Sequence, residues 1–161
     1  MDRSILVKDE WISDVLKNNV YFLNSSLIKE KTVLFKSIEH LNEIHLEQKL
    51  FIYTKVKTNL INQIQIVEDL GFRLIDTNII FKRDNGVILV NDLNADVKIS
   101  FEDSNHKSHI VKLAFENFIF SRFHLDPLVE DKGANNLKKK WVENYFSGKR
   151  GDKMVVALKN N

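Results

Sequence analysis

The stretch Ser121–Gly148, SRFHLDPLVEDKGANNLKKKWVENYFSG, decides how the chain is read. It opens on a polar and aromatic cluster, Ser121-Arg122-Phe123-His124, and passes through the only proline, Pro127. It then becomes an amphipathic helix in which Leu137, Trp141 and Tyr145 share one side, with Lys138, Lys139 and Lys140 on the polar side as a solvated basic face. Working outward, VKISFED (97–103) reads as a strand, and Ser104 or Asn105 caps a helix burying Ile110, Val111, Leu113, Ala114, Phe118 and also Phe115. After the central helix, MVVAL (154–158) reads as an apolar strand running into Lys159-Asn160-Asn161, a turn signal. Such a strand needs a partner along its edge, which suggests that another segment or subunit covers it.

Composition bounds the rest. The 161 residues suit one ordinary domain or two very small ones, and 43% hydrophobic with 29% charged is the balance of a folded chain. A net charge of +2 argues against a nucleic-acid or membrane partner. No apolar run approaches the ~18 residues of a membrane span, and the first residues lack a signal-peptide pattern. The absence of cysteine excludes disulfide and thiolate chemistry. A cytoplasmic protein is expected.

The amino-terminal part is expected to be an α/β subdomain over residues 1–90, with a second unit from 91 to 161. Residues 4–18 place Leu6, Trp11, Val15 and Leu16 at helical spacing. VYFLNSSLI (20–28) reads as a strand, while 33–47 fits either a strand, VLFKSI, or a helix with Ile38, Leu41, Ile44 and Leu46 on one face. LFIYTKVK (50–57) is a strand. Thr58 or Asn59 caps a helix with Leu60, Ile61, Ile64, Val67 and Leu70 on its apolar face, and Gly71 ends it in left-handed conformation with Phe72 folding back. RLIDTNIIFKR (73–83) returns as a strand, which gives a strand–helix–strand unit over 50–83 and favours a parallel or mixed sheet. Asp84-Asn85-Gly86 marks a turn, and the seam between the two parts falls over 84–96.

Two motifs carry a family resemblance: SRFHLDP, and the K-x-W-x-x-N-x-x-x-G helix with Trp141, Asn144 and Gly148. Together they resemble the first loop and second helix of GNAT-family N-acetyltransferases, most closely the branch that acetylates nucleotide-linked amino sugars such as TDP-fucosamine. From residue 97 the order strand, helix, loop, helix, strand is similar to that family, and Asp103 stands where an acidic residue marks the strand's exit. Trp11 and Leu70-Gly71-Phe72-Arg73-Leu74 match the branch's preceding half. The resemblance implies an α/β fold with a GNAT-like mixed sheet flanked by helices. It implies an acetyl-CoA-dependent enzyme with a small-molecule amine as acceptor. Arg122, Phe123, His124, Asp126 and Asn144 would form the acceptor wall. There the enzyme would position the amine and stabilise the oxyanion while a base takes the amine's proton.

Acetyl-CoA binding in that family uses Q/R-x-x-G-x-G/A opening a helix, whose N–H groups cradle the pyrophosphate. Gly71, Gly86, Gly133, Gly148 and Gly151 form no G-x-G pair. Gly148-Lys149-Arg150-Gly151 is basic enough to meet a phosphate, but it precedes a strand instead of opening a helix. The second half of the acetyltransferase fold is therefore expected to be missing, with no cofactor-binding residues in the chain. The other class of function open to this sequence is a non-catalytic interaction module, pairing through strand 154–158 with a partner chain or as a homodimer.

Single residues have both sharp and plain readings. Arg122 either grips a nucleotide diphosphate with its planar fork or makes a surface ion pair. His124 either orients a sugar hydroxyl and carries the acceptor's proton, or bonds to backbone in its loop. Phe123 and Trp141 read as core or as a stacking platform. His106 and His109, near Glu102 and Asp103, have two-ligand spacing on a helix but lack a third ligand, and they otherwise form a solvated helix start. Neither G-x-S-x-G nor a phosphate-binding loop is present.

Overall fold

A computed structural model describes residues 4–45, 47, 49–82, 84, 86, 96–101 and 104–159. It is mixed α/β, with small sheets flanked by helices and no closed barrel among the described residues. The chain divides into two compact units, Met1–Ile75 and Asp76–Asn161.

The first unit runs β1 (Leu6–Lys8), α1 (Glu10–Leu16), β2 (Asn19–Leu23), a 3-10 turn (Ser25–Leu27), α2 (Lys31–Ile44), β3 (Leu50–Thr54) and α3 (Ile61–Asp69). Its sheet has the order β1-β2-β3, with β1 antiparallel and β3 parallel to β2. The expected helix over 4–18 therefore starts late. Leu6 to Lys8 pair with Leu23 to Tyr21, and Asp9 then caps α1 by accepting the Ile12 N–H at 2.9 Å. Asp9 also accepts the Tyr53 hydroxyl at 2.8 Å, tying the cap to β3.

The expected strand over 20–28 stops at Leu23. The Asn24 side chain accepts both the Ser26 N–H and the Ser26 hydroxyl, a local bond that diverts the backbone from the ladder. The ambiguous 33–47 stretch is helical through Ile44, because parallel β2 and β3 need a crossover between them. Leu34 is its fully buried member, and it closes a core with Leu23, Ile28 and Val67.

At α3, Leu60 occupies the cap position without a side-chain bond, so neither Thr58 nor Asn59 caps the helix, and Ile61 is exposed rather than packed. Gly71 has φ +87°, as expected. The Phe72 N–H reaches the Val67 carbonyl and the Gly71 N–H the Glu68 carbonyl, the paired bonds of a left-handed helix terminus. The ring of Phe72 packs on the core cluster.

The strand expected over 73–83 does not form among the described residues 73–82, where Phe81 is 91% exposed. Its β-branched and aromatic residues give local strand preference, but no described strand pairs with them, and local preference alone does not make a strand. The strand–helix–strand unit of this molecule is thus β2–α2–β3, not 50–83. Asn85 and residues 87–95, which hold most of the expected turn and seam, lie outside the described residues.

The second unit runs β4 (Val97–Phe101), α4 (Lys107–Asn117), α5 (Arg122–Leu125), α6 (Asp131–Phe146) and β5 (Val155–Lys159). Helices α4 and α6 pack together, and α5 sits on α6. β5 pairs antiparallel with β4, from Val97 opposite Lys159 to Phe101 opposite Val155. The apolar strand expected to wait for an outside partner therefore has one within its own unit. His106, not Ser104 or Asn105, takes the cap position of α4, and Leu113 and Phe118 are exposed where burial was expected. The interior consists of Ala114, Phe123, Val129, Ala134 and Leu137. No helix of the described residues is long and apolar enough to cross a membrane.

Candidate functional site

The loop expected between the two long helices of the second unit is itself a short helix, α5. Its first turn closes when the Ser121 carbonyl accepts the N–H groups of His124 (2.8 Å) and Leu125 (2.9 Å). The Ser121 hydroxyl lies 2.7 Å from His124 Nδ1, and His124 Nε2 lies 2.8 Å from Asn135 Oδ1 on α6. An amide oxygen only accepts, so Nε2 carries the proton and Nδ1 accepts from the serine. Both ring nitrogens are thus engaged within the protein. His124 fastens α5 to α6.

Asp126 is buried, and its Oδ1 accepts the Leu128 N–H at 3.0 Å while its carbonyl accepts the Val129 N–H at 3.0 Å. With Pro127 at the following position this is a carboxylate-stabilised turn, and Asp126 sets the entry into α6. Phe123 is buried beneath the Arg122 guanidinium, 4.6 Å from the ring centroid, and meets Trp141 edge-on at 6.3 Å. Of the expected acceptor wall, Arg122 is half-buried with its guanidinium on the Phe123 ring.

Asn144 is not brought to this cluster. It stands roughly 14 Å farther along the helix axis than Asn135, at about 1.5 Å per residue. Its carbonyl accepts the Lys149 N–H at 2.9 Å and the Ser147 hydroxyl at 3.1 Å, which closes the helix end. The Gly148 N–H reaches the Tyr145 carbonyl, and Gly148 has φ +69°. This is the same terminus that closes α3. Gly151 is also left-handed, at φ +75°, and the Tyr145 hydroxyl accepts the Met154 N–H at 3.0 Å just before β5.

Two residues outside the expected wall join it in space. Lys138 Nζ lies 4.6 Å from the Trp141 ring centroid and 5.9 Å from that of Phe118. The Arg150 guanidinium approaches the same indole at 5.2 Å. Lys138 is therefore not part of a solvated lysine face, although Lys139 and Lys140 are, each paired with Glu143 at 3.9 and 2.7 Å. Burial against the aromatic rings holds the Lys138 ammonium below its ordinary pKa, and the nearby Arg122 charge adds to the effect. The spacing of Lys138 and Trp141, three apart on a helix, was the available sequence signal. Arg150 lay in the basic Gly148-Lys149-Arg150-Gly151 segment already marked as able to meet a phosphate, but its approach to the indole depends on the turn between two left-handed glycines.

A groove of about 520 Å³ on this unit is lined by Ser104, Asn105, Lys107, Ser108, Val111 and Glu143, and includes none of the expected wall residues. Asp103 and Glu102 lie outside the described residues, and no trio of described His, Asp or Glu residues could hold a metal ion. Comparisons of the chain with protein-family models, curated proteins and solved structures find no match.

Proposed function

We propose that residues 97–159 are the acceptor-holding portion of an acetyl-CoA-dependent N-acetyltransferase of the GNAT type, acting on the amino group of a nucleotide-linked sugar. The observation that carries the reading is the element order β4, α4, α5, α6, β5, with Arg122, Phe123, His124 and Asp126 on the connection between the two long helices. In this reading Arg122 grips the nucleotide's diphosphate, since a guanidinium presents paired donors to phosphate oxygens. Phe123 supports Arg122 from below. His124 and Asp126 fix the loop's shape through Ser121, Asn135 and the Leu128 N–H.

The residues present do not fit acetyl-CoA's own pyrophosphate. Gly148-Lys149-Arg150-Gly151 closes a helix instead of opening one, and its Gly148 and Lys149 N–H groups are spent on the helix terminus. No chemical step through the coenzyme is assigned to this chain.

Calorimetric titration of the full chain with a TDP-linked amino sugar tests the reading. Saturable binding is expected, weakened ~10-fold or more by Arg122→Gln through loss of a charge-assisted contact. No binding, or equal binding by the variant, would refute it. Acetyl-CoA is expected to bind no more tightly than its bare diphosphate would, and a micromolar constant well below that of pyrophosphate would overturn the account of the coenzyme.

A further inference from the structure

We infer that Arg122, Lys138 and Arg150, gathered over the Phe123–Trp141 pair, form a binding site for a phosphate-bearing small molecule. The three cations come from α5, α6 and the turn after α6, so the fold assembles them and no sequence run does. Lys138 and Arg150 approach one indole, at 4.6 and 5.2 Å. The charge that acts on Lys138 is that of Arg122, which joins it from α5.

On these helices Lys139 and Lys140 are matched with Glu143, and Lys112 with Glu116. Lys138 and Arg150 have no ion-paired carboxylate among the described residues. The nearest acidic side chain on α5's exit, Asp126, is committed to the Leu128 N–H. Cation–π contacts hold the two charges in place without neutralising them. The consequence is visible at Lys138, where burial and Arg122 both work against the charge. A dianion seated among the three would offset both.

The shape of the site favours phosphate over a single carboxylate. Arg122 and Arg150 each present a planar fork of donors and Lys138 a compact point charge, a donor set that suits an oxyanion with several oxygens. The turn is built to bring Arg150 back. Gly148 and Gly151, both left-handed, bracket Lys149-Arg150, and a Cβ on Gly151 would press on the Tyr145 ring at 3.4 Å. A net charge of only +2 and a cluster of three cations fit a small ligand better than a nucleic-acid backbone.

The probe is inorganic pyrophosphate, titrated calorimetrically into the full chain at low salt. Saturable binding is expected, with Arg150→Gln and Lys138→Met each weakening it ~10-fold, the loss of one charge-assisted contact. Lys132→Gln, on the exposed first turn of α6, is expected to bind as the unaltered chain does. Arg150 is exposed, so its variant should fold, and far-UV circular dichroism checks both variants. Tighter binding of dTDP than of pyrophosphate would identify a nucleotide as the source of the phosphate, and equal binding a bare diphosphate. Either outcome supports the site. Absence of saturable heat would overturn it, as would equal binding by both variants, or a single-stranded oligonucleotide binding more tightly than pyrophosphate. The site rests on the amino-sugar reading's use of Arg122, and the two tests separate them. An amino sugar bound no more tightly than dTDP refutes that reading and keeps this site. An amino sugar bound as tightly by Arg150→Gln and Lys138→Met as by the unaltered chain refutes this site and keeps that reading.

Discussion

The two units use their apolar and polar residues in opposite ways. In the first, Leu23, Ile28, Leu34 and Val67 close a core, with Leu6, Ile38, Ile52 and Phe72 packed on it. Its polar side chains serve the frame: Asp9 caps α1 and holds Tyr53, and Ser13 bonds to the Val20 N–H across to β2. In the second, the sheet has two strands, Phe123 joins the interior beneath Arg122, and the less buried rings of Phe118 and Trp141 have Lys138 on their faces. An aromatic ring closed into a core stabilises by burial, whereas one kept half-buried under charge offers a recognition surface. The first unit reads as a scaffold and the second as the face that meets a ligand.

That contrast breaks first, if it breaks, in the cores. Leu34→Ala and Leu137→Ala should each cost about 3 kcal/mol in urea unfolding, the usual effect of a cavity at a closed site. Phe118→Ala should cost well under half of that, and an equal cost would show that the second unit's exposed aromatic belongs to a core. Asp9→Ala should follow at about 2 kcal/mol, because one carboxylate both caps a helix and accepts from Tyr53. Gly71→Ala and Gly148→Ala should each cost about 1 kcal/mol, since both need left-handed backbone while a Cβ meets open space.

The smallest effect is at Lys138, and it has a sign. Its folded-state pKa lies below the ordinary 10.5, so its protonated form is disfavoured by folding. Its contribution to stability is therefore lowest at neutral pH and rises as pH climbs through the folded value toward 10.5. Lys138→Met should remove that rise without lowering stability at neutral pH, as read from urea midpoints across the range.

Elements marked by both a pattern and a stop signal were legible in the sequence. β3 was given by its run of strand formers, the end of α3 by Gly71 and Phe72, and the order of the second unit by its alternating strands and helices. What pairing decides was not legible. Residues 73–82 have strand composition without a strand partner, and α2 is helical because β2 and β3 lie parallel. The candidate site shows the same division. Arg122 and Phe123 stood out, but the roles of His124 and Asp126 depend on Asn135 and the Leu128 N–H. Lys138 looked solvated because its neighbours are, and Arg150 is placed by backbone geometry that no residue pattern announces.

The two tryptophans, Trp11 in the first unit and Trp141 in the second, allow the contrast to be read in one experiment. In ¹H–¹⁵N correlation spectra recorded while pyrophosphate is added, the Trp141 indole N–H signal is expected to move and saturate while that of Trp11 stays in place. Movement of both signals together, or of neither, would contradict the assignment of ligand recognition to the second unit.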